Sequence, residues 1–282
     1  MVFWLLALIS VGVTGGVIAQ WPIADLLPEA VLSEVPVVSL DSGTIGVYFL
    51  GGLFVSVTPL HRALHYSATV VHELGHAFVT GLLGGRPKEI EIHPSGSGVA
   101  TYEAPVLWAR WRRVAVTAAG YPAPAVAGLA GVLAATNGLG ALWVVFTASV
   151  LTLSVVLIIR NFWGFFWSAG VLALAYVGVT RLSAEQVALF GVAMSGFLLT
   201  EAMRDSREQI TIVRRVAHSG ADAERVADWY GISRTFVAVL QFLTVAAVAG
   251  LGVWRAVVTE WGSVFGELEA LWVELRDYID AR

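Results

Sequence analysis

The run His72-Glu73-Leu74-Gly75-His76 holds the residues of this chain best suited to chemistry. On a helix, positions four apart share a face, so both imidazoles reach one metal ion. Glu73 lies beside them and would take a proton from water held at the ion's open position. Zinc lowers the pKa of such water towards about 7, which makes hydroxide available at neutral pH. The expected chemistry is metal-assisted hydrolysis. Cysteine is absent from the sequence, so a thiolate zinc site, a Cys nucleophile and disulfides are all excluded.

The surrounding chain must carry this motif in an apolar setting. Of 282 residues, 57% are hydrophobic and 13% are charged, against about a quarter charged in soluble domains. So few charges cannot cover a soluble surface, and a net charge of −4 excludes a basic nucleic-acid binder. Apolar stretches of spanning length occur at 3–19, 44–60, 67–83, 114–135, 139–159, 162–180, 186–200 and 235–252. They predict an all-α polytopic membrane protein with six to eight transmembrane helices, the first an uncleaved helix. The motif falls in the third stretch, and ionisable residues inside a membrane span are functional suspects.

Basic residues sort to one predicted side. Segments 84–113 and 201–234 hold five and six of them, and Arg160 joins these, giving 12 of 17 on the cytoplasmic face of a multi-pass cell-membrane protein. Segment 20–43 is acidic and is expected outside, which makes one of the first two apolar stretches re-entrant or interfacial. Pro122 and Pro124 should distort the fourth span. Ala119, Ala123, Ala127 and Gly131, like Gly12 and Gly16, suit close helix packing. His61 and His65 fall on the arc of His72 and His76. His65 is about 10 Å from His72 along the axis, too far to share its ion, so this pair reads as interfacial polar residues beside Arg62.

After the motif, Ile90 and Ile92 alternate with Glu89, Glu91 and His93 before the Gly/Ser turn 95–98, predicting a β-hairpin. A hairpin edge near the site can pair with an extended substrate. Ile90 and Ile92 are therefore candidate substrate contacts, and Asn161, by the resemblance given below, is a third. Segment 201–234 alternates acids with arginines, such as Arg204 with Glu208, and predicts cytoplasmic helices, Asp222 capping the second. The acidic segment 253–282 predicts an amphipathic helix. The chain divides into N-terminal apolar segments (1–66), a core (67–252) and that helix (253–282).

These motifs resemble the site-2 protease family of intramembrane zinc metalloproteases, in particular its bacterial branch with a spoIVFB-like peptidase domain. The resemblance covers about 70–250. It rests on HELGHAFVTGLLGGRP, EIHPSGSG, AAGYPAPA at 118–125, Arg160-Asn161 with Gly164, and ADAERVADWYGI at 221–232. It implies Zn2+ held by His72 and His76, Glu73 as base, a membrane-spanning protein as substrate and the lipid bilayer as surroundings. The family's third ligand is an Asp before a Gly on a later span, where this chain has Ala169-Gly170. A catalytic zinc takes three protein ligands. By its spacing within the resemblance, Glu208 is the first substitute, followed by Asp205 and then Asn161 or His93. The reading that follows is a zinc metalloendopeptidase cutting membrane-embedded substrates. The alternatives are a catalytically inactive relative that binds membrane helices or a partner, and a prenyl-protein protease-like zinc enzyme.

Overall fold

The computed structural model of the chain describes residues 37–106, 108–216 and 218–258. The predicted first span, most of the acidic loop and all but the start of the C-terminal helix lie outside them. The elements are α1 (Ser42–Val55), α2 (His61–Leu82), β1 (Arg86–Ile92), β2 (Gly98–Glu103), α3 (Arg110–Ala118), α4 (Pro122–Thr136), α5 (Gly140–Leu157), α6 (Phe162–Arg181), α7 (Ala184–Arg215), α8 (Asp222–Tyr230) and α9 (Arg234–Val253). A π-helical turn, Trp254–Val258, extends α9.

Local chemistry sets the boundaries. Asp41 starts α1 by accepting the Thr44 amide at 2.9 Å. Ser183 and Gln186 form a reciprocal capping box at the start of α7. Pro122 opens α4, where its missing N–H costs nothing. The predicted fourth span is accordingly two helices, α3 and α4, meeting at 59°. The proline pair thus produces the distortion expected of it.

Helix α7, 32 residues long, is the hub and packs on α1, α4, α5 and α9. The central cluster joins Ile45 and Phe49 of α1, Ala125 and Val132 of α4, Val192 and Leu199 of α7, and Val245 of α9. In lipid, helices associate through close packing rather than through release of water. A Cβ on Gly52 or Gly196 would meet the backbone of the facing helix, so α1 and α7 approach closely because both positions are bare.

Four helices are long and apolar enough to cross a membrane: α5, α6, α7 and α9 with its extension, or five spans if α3 and α4 count as one. This count does not confirm the expected six to eight, and the predicted first span lies outside the described residues. The predicted second span yields only the 14-residue α1. The third is the 22-residue α2, whose histidines, Glu73 and Arg62 reduce its apolar character. The outward side chains of α6, including Phe162, Phe166, Leu174 and Tyr176, are exposed apolar surface that suits lipid.

The hairpin is antiparallel, pairing Ile90 with Ala100 and Ile92 with Gly98, with an irregularity between Pro87 and Glu89. Its turn closes through Gly96, at φ +89°, a conformation glycine adopts without steric cost. The other edge of β1 is occupied. The Ile90 amide donates to Ile158 O at 2.7 Å, and the Arg160 amide donates to Ile90 O at 3.2 Å. The hairpin is thereby fixed to the α5–α6 connection on one side and lies along α2 on the other.

Candidate metal centre

Helix α2 presents His72 and His76 on one face, as their spacing requires. Their Nε2 atoms are 3.1 Å apart. His76 Nδ1 donates to Val116 O at 2.8 Å. A carbonyl can only accept, so this bond fixes the tautomer and leaves the Nε2 lone pair free. Tyr121 stands edge-on to His72, with ring centroids 4.7 Å apart.

The third group is Asp222, the first residue of α8. Its Oδ2 lies 3.3 Å from His72 Nε2 and 3.2 Å from His76 Nε2. Burial pushes the Asp222 carboxyl up, but hydrogen bonds to the two imidazoles outweigh it and hold the group well below the usual carboxylate range. Two ligands at ~2.1 Å from a tetrahedral zinc stand about 3.4 Å apart. The three observed separations, 3.1, 3.2 and 3.3 Å, are close to that spacing. The remaining wall is bare backbone. A Cβ on Gly120 would fall 2.5 Å from His76 Nε2 and closer still to His72 Nε2. The α3–α4 break therefore leaves, at the converging donors, a hollow that one methyl group would fill. The donor set and the hollow both fit a small divalent ion such as zinc.

Glu73 is buried beside this group. A Cβ on Gly98 would sit 2.7 Å from Glu73 Oε1, so β2 passes directly over the carboxylate. On the opposite side of the motif, a Cβ on Gly75 would sit 2.5 Å from the Ala123 methyl and 2.9 Å from Ala119 O. Small residues at 75, 119 and 123 let α2 press against the α3–α4 break.

Asp222 is delivered by a tightly held loop. Glu224 accepts from the His218 amide at 3.1 Å, the Ser219 hydroxyl at 2.9 Å, the Gly220 amide at 2.8 Å and Arg234 Nη1 at 3.0 Å. The Ser219 hydroxyl is the largest of several influences that bring the Glu224 carboxyl down to about 2. The cap expected from Asp222 is absent: Ala221 occupies the N-cap, and Asp222 points to the histidines instead.

Of the sequence candidates, His72, Glu73 and His76 come together, and the proposed third ligands do not join them. Glu208 is exposed on α7. That helix runs unbroken to Arg215, so Glu208 stays on its flank, and the returning loop beyond it carries Asp222 to His72 and His76. Asp205 is half-buried on the same helix and is not among the groups whose ligand atoms converge with His72 and His76. His93 stands at the hairpin turn, with Nε2 3.8 Å from Glu91 Oε2. Asn161 uses its amide on the hairpin: Oδ1 accepts from the Ile92 amide at 3.0 Å, and Nδ2 donates to Ile92 O at 2.6 Å. Ile90 and Ile92, expected at a substrate, are buried with Val70, Ala77 and Ile159. Alternation put them on one face of the strand, and that face is the core.

A family model described as Peptidase M50B-like matches residues 45–252, which include the whole of this centre. The chain belongs to that family of metallopeptidases, the site-2 protease family, and is a membrane protein. No curated protein and no solved structure matches the chain.

Proposed function

We propose that the protein is a zinc-dependent intramembrane endopeptidase, of the spoIVFB-like branch, that hydrolyses a peptide bond of a membrane-embedded protein. The observation that carries this reading is the convergence of His72, His76 and Asp222 beside the Glu73 carboxylate. His72 and His76 through Nε2, and Asp222 through Oδ2, would hold the ion. Bound zinc would polarise the scissile carbonyl and make water acidic enough to act as a nucleophile at neutral pH.

The chain's own residues supply the rest. Glu73 accepts the water's proton on its carboxylate and passes it to the departing amine. Val116 O keeps His76 in the tautomer that offers Nε2. A peptide bond inside a helix is shielded, so the substrate must be unwound before attack. The β2 strand suits that task. It runs over Glu73, and among the described residues its second edge pairs with no strand. An extended substrate segment would pair there and bring its backbone to the centre. Asn161 acts on this step indirectly, by anchoring β1 and so fixing where β2 lies.

A non-catalytic role was suggested by the missing acid at Ala169. Asp222 supplies a carboxylate by another route, which removes that motive. The test is cleavage of labelled casein, as an unwound generic substrate, by the purified chain in detergent with zinc. Wild type should cut it, and chelation or Glu73→Gln should stop cleavage. Equal cleavage by Glu73→Gln would refute the mechanism.

A further inference from the structure

Nearer the start of α2 stands a second group of the same composition. His61 Nδ1 lies 3.0 Å from Glu201 Oε1, and His65 Nδ1 lies 3.0 Å from Glu201 Oε2. Glu201, on α7, is fully buried, while the two imidazoles keep about a quarter of their surface open. The sequence reading treated the pair as interfacial polar residues, yet both rings turn onto one carboxylate from a distant part of the chain.

We propose that His61, His65 and Glu201 form a second divalent-cation site, separate from the catalytic centre, that ties α2 to α7. Two imidazole nitrogens and one carboxylate suit zinc or cobalt better than magnesium or calcium, which prefer oxygen ligands. All three donor atoms lie within 4.8 Å of one another, which is the reach of a single ion. The i, i+4 spacing that aims His72 and His76 at one point does the same here. The open sides of the imidazoles give an ion a way in. The ion cannot be shared with the catalytic centre, because about 10 Å of helix rise separates His65 from His72.

Arg204 is the built-in competitor. Its Nη1 lies 2.8 Å from both ring nitrogens of His61 and 3.4 Å from Glu201 Oε1, while Nη2 donates to Ser56 O at 2.8 Å. The guanidinium thus supplies the positive charge that a buried Glu201 needs when no ion is bound. Binding would displace it, with half-buried Asp205 one helical turn along α7 from Glu201 adding negative charge. The hairpin turn closes the group from above: a Cβ on Gly96 would be 3.1 Å from His65 Cδ2, and Thr69 Oγ1 donates to Gly96 O at 2.8 Å. An ion at this site would therefore stiffen the turn leading into β2.

The test is cobalt titration of the metal-stripped full chain in detergent, read by visible absorption and by metal content. The expected result is two equivalents in wild type, and one in both His61→Ala/His65→Ala and His72→Ala/His76→Ala. Arg204→Gln should keep both equivalents and bind the second at least tenfold more tightly. A single equivalent in wild type that His61→Ala/His65→Ala leaves intact and His72→Ala/His76→Ala removes would overturn the second site. Should the first double variant not fold, an absence of any cobalt bound by His72→Ala/His76→Ala overturns it equally. Loss of the catalytic equivalent alone would count against the proposed peptidase and leave the second site standing.

Discussion

Asp222 Oδ2 lies 3.2 Å from His76 Nε2, joining the first turn of α8 to the middle of α2. Between the two residues, the chain passes through the hairpin and five helices. The contact holds because α3, which supplies the Val116 carbonyl to His76, also packs against α8. The imidazole is therefore aligned by one neighbour and met by an acid from the next.

Replacing Glu73 by Gln should lower peptide hydrolysis by about 10²–10⁴-fold, the usual contribution of a positioned base. Zinc content should stay at the wild-type level, because Glu73 lies beside the three convergent donors and is not one of them. Zinc analysis and a cleavage assay on the same preparation check both halves.

Gly120→Ala tests the hollow at the centre. The added methyl would stand within about 2.5 Å of both Nε2 atoms, where no ordinary contact is tolerated. Gly120 lies in the turn between α3 and α4 without a positive φ, so alanine can adopt its backbone and the variant should fold, yet bind zinc far more weakly. Unchanged zinc affinity by competition with a chromophoric chelator would contradict the geometry.

Asn161→Ala removes both side-chain bonds to Ile92. Leaving those backbone groups unpaired costs about 1–3 kcal/mol. The hairpin should loosen while zinc stays bound. Amide exchange at Ile92 should quicken, and cleavage should fall mainly through a higher KM.

Glu224→Ala should weaken zinc binding by about 10–100-fold although Glu224 is not among the donors, as expected of a group that orients one. Its carboxylate gathers His218, Ser219, Gly220 and Arg234 around the loop that presents Asp222. Restoration by Glu224→Asp would be partial, since the shorter side chain cannot reach all four donors. A titration series over these variants measures the effect.

The legible parts of the sequence were those with short-range signatures. The HExxH run announces itself by helical spacing, the hairpin by alternation around a glycine turn, and the α3–α4 bend by Pro122 and Pro124. Family likeness and membrane class followed from the same local patterns. Asp222 was missed because its meaning is long-range. Within a charge-rich stretch, an acid at the start of a helix looks like a cap, and nothing nearby in sequence names His72 as its partner. The clue was composition: Asp222 sits between Ala221 and Ala223, small neighbours that let a backbone approach another element, unlike Glu208 amid bulkier polar residues. Ile90 and Ile92 were misassigned for the converse reason, since alternation fixes which residues share a face but not what that face meets.

The central claim is that Asp222, and not Glu208, completes the metal centre. Zinc content of purified Asp222→Ala and Glu208→Ala, measured beside wild type, tests it most directly. The parent for this measurement is the His61→Ala/His65→Ala chain, which isolates the catalytic equivalent. The account predicts one zinc per chain in the parent and in Glu208→Ala, and essentially none in Asp222→Ala. Retention of zinc by Asp222→Ala, with loss from Glu208→Ala, would contradict it.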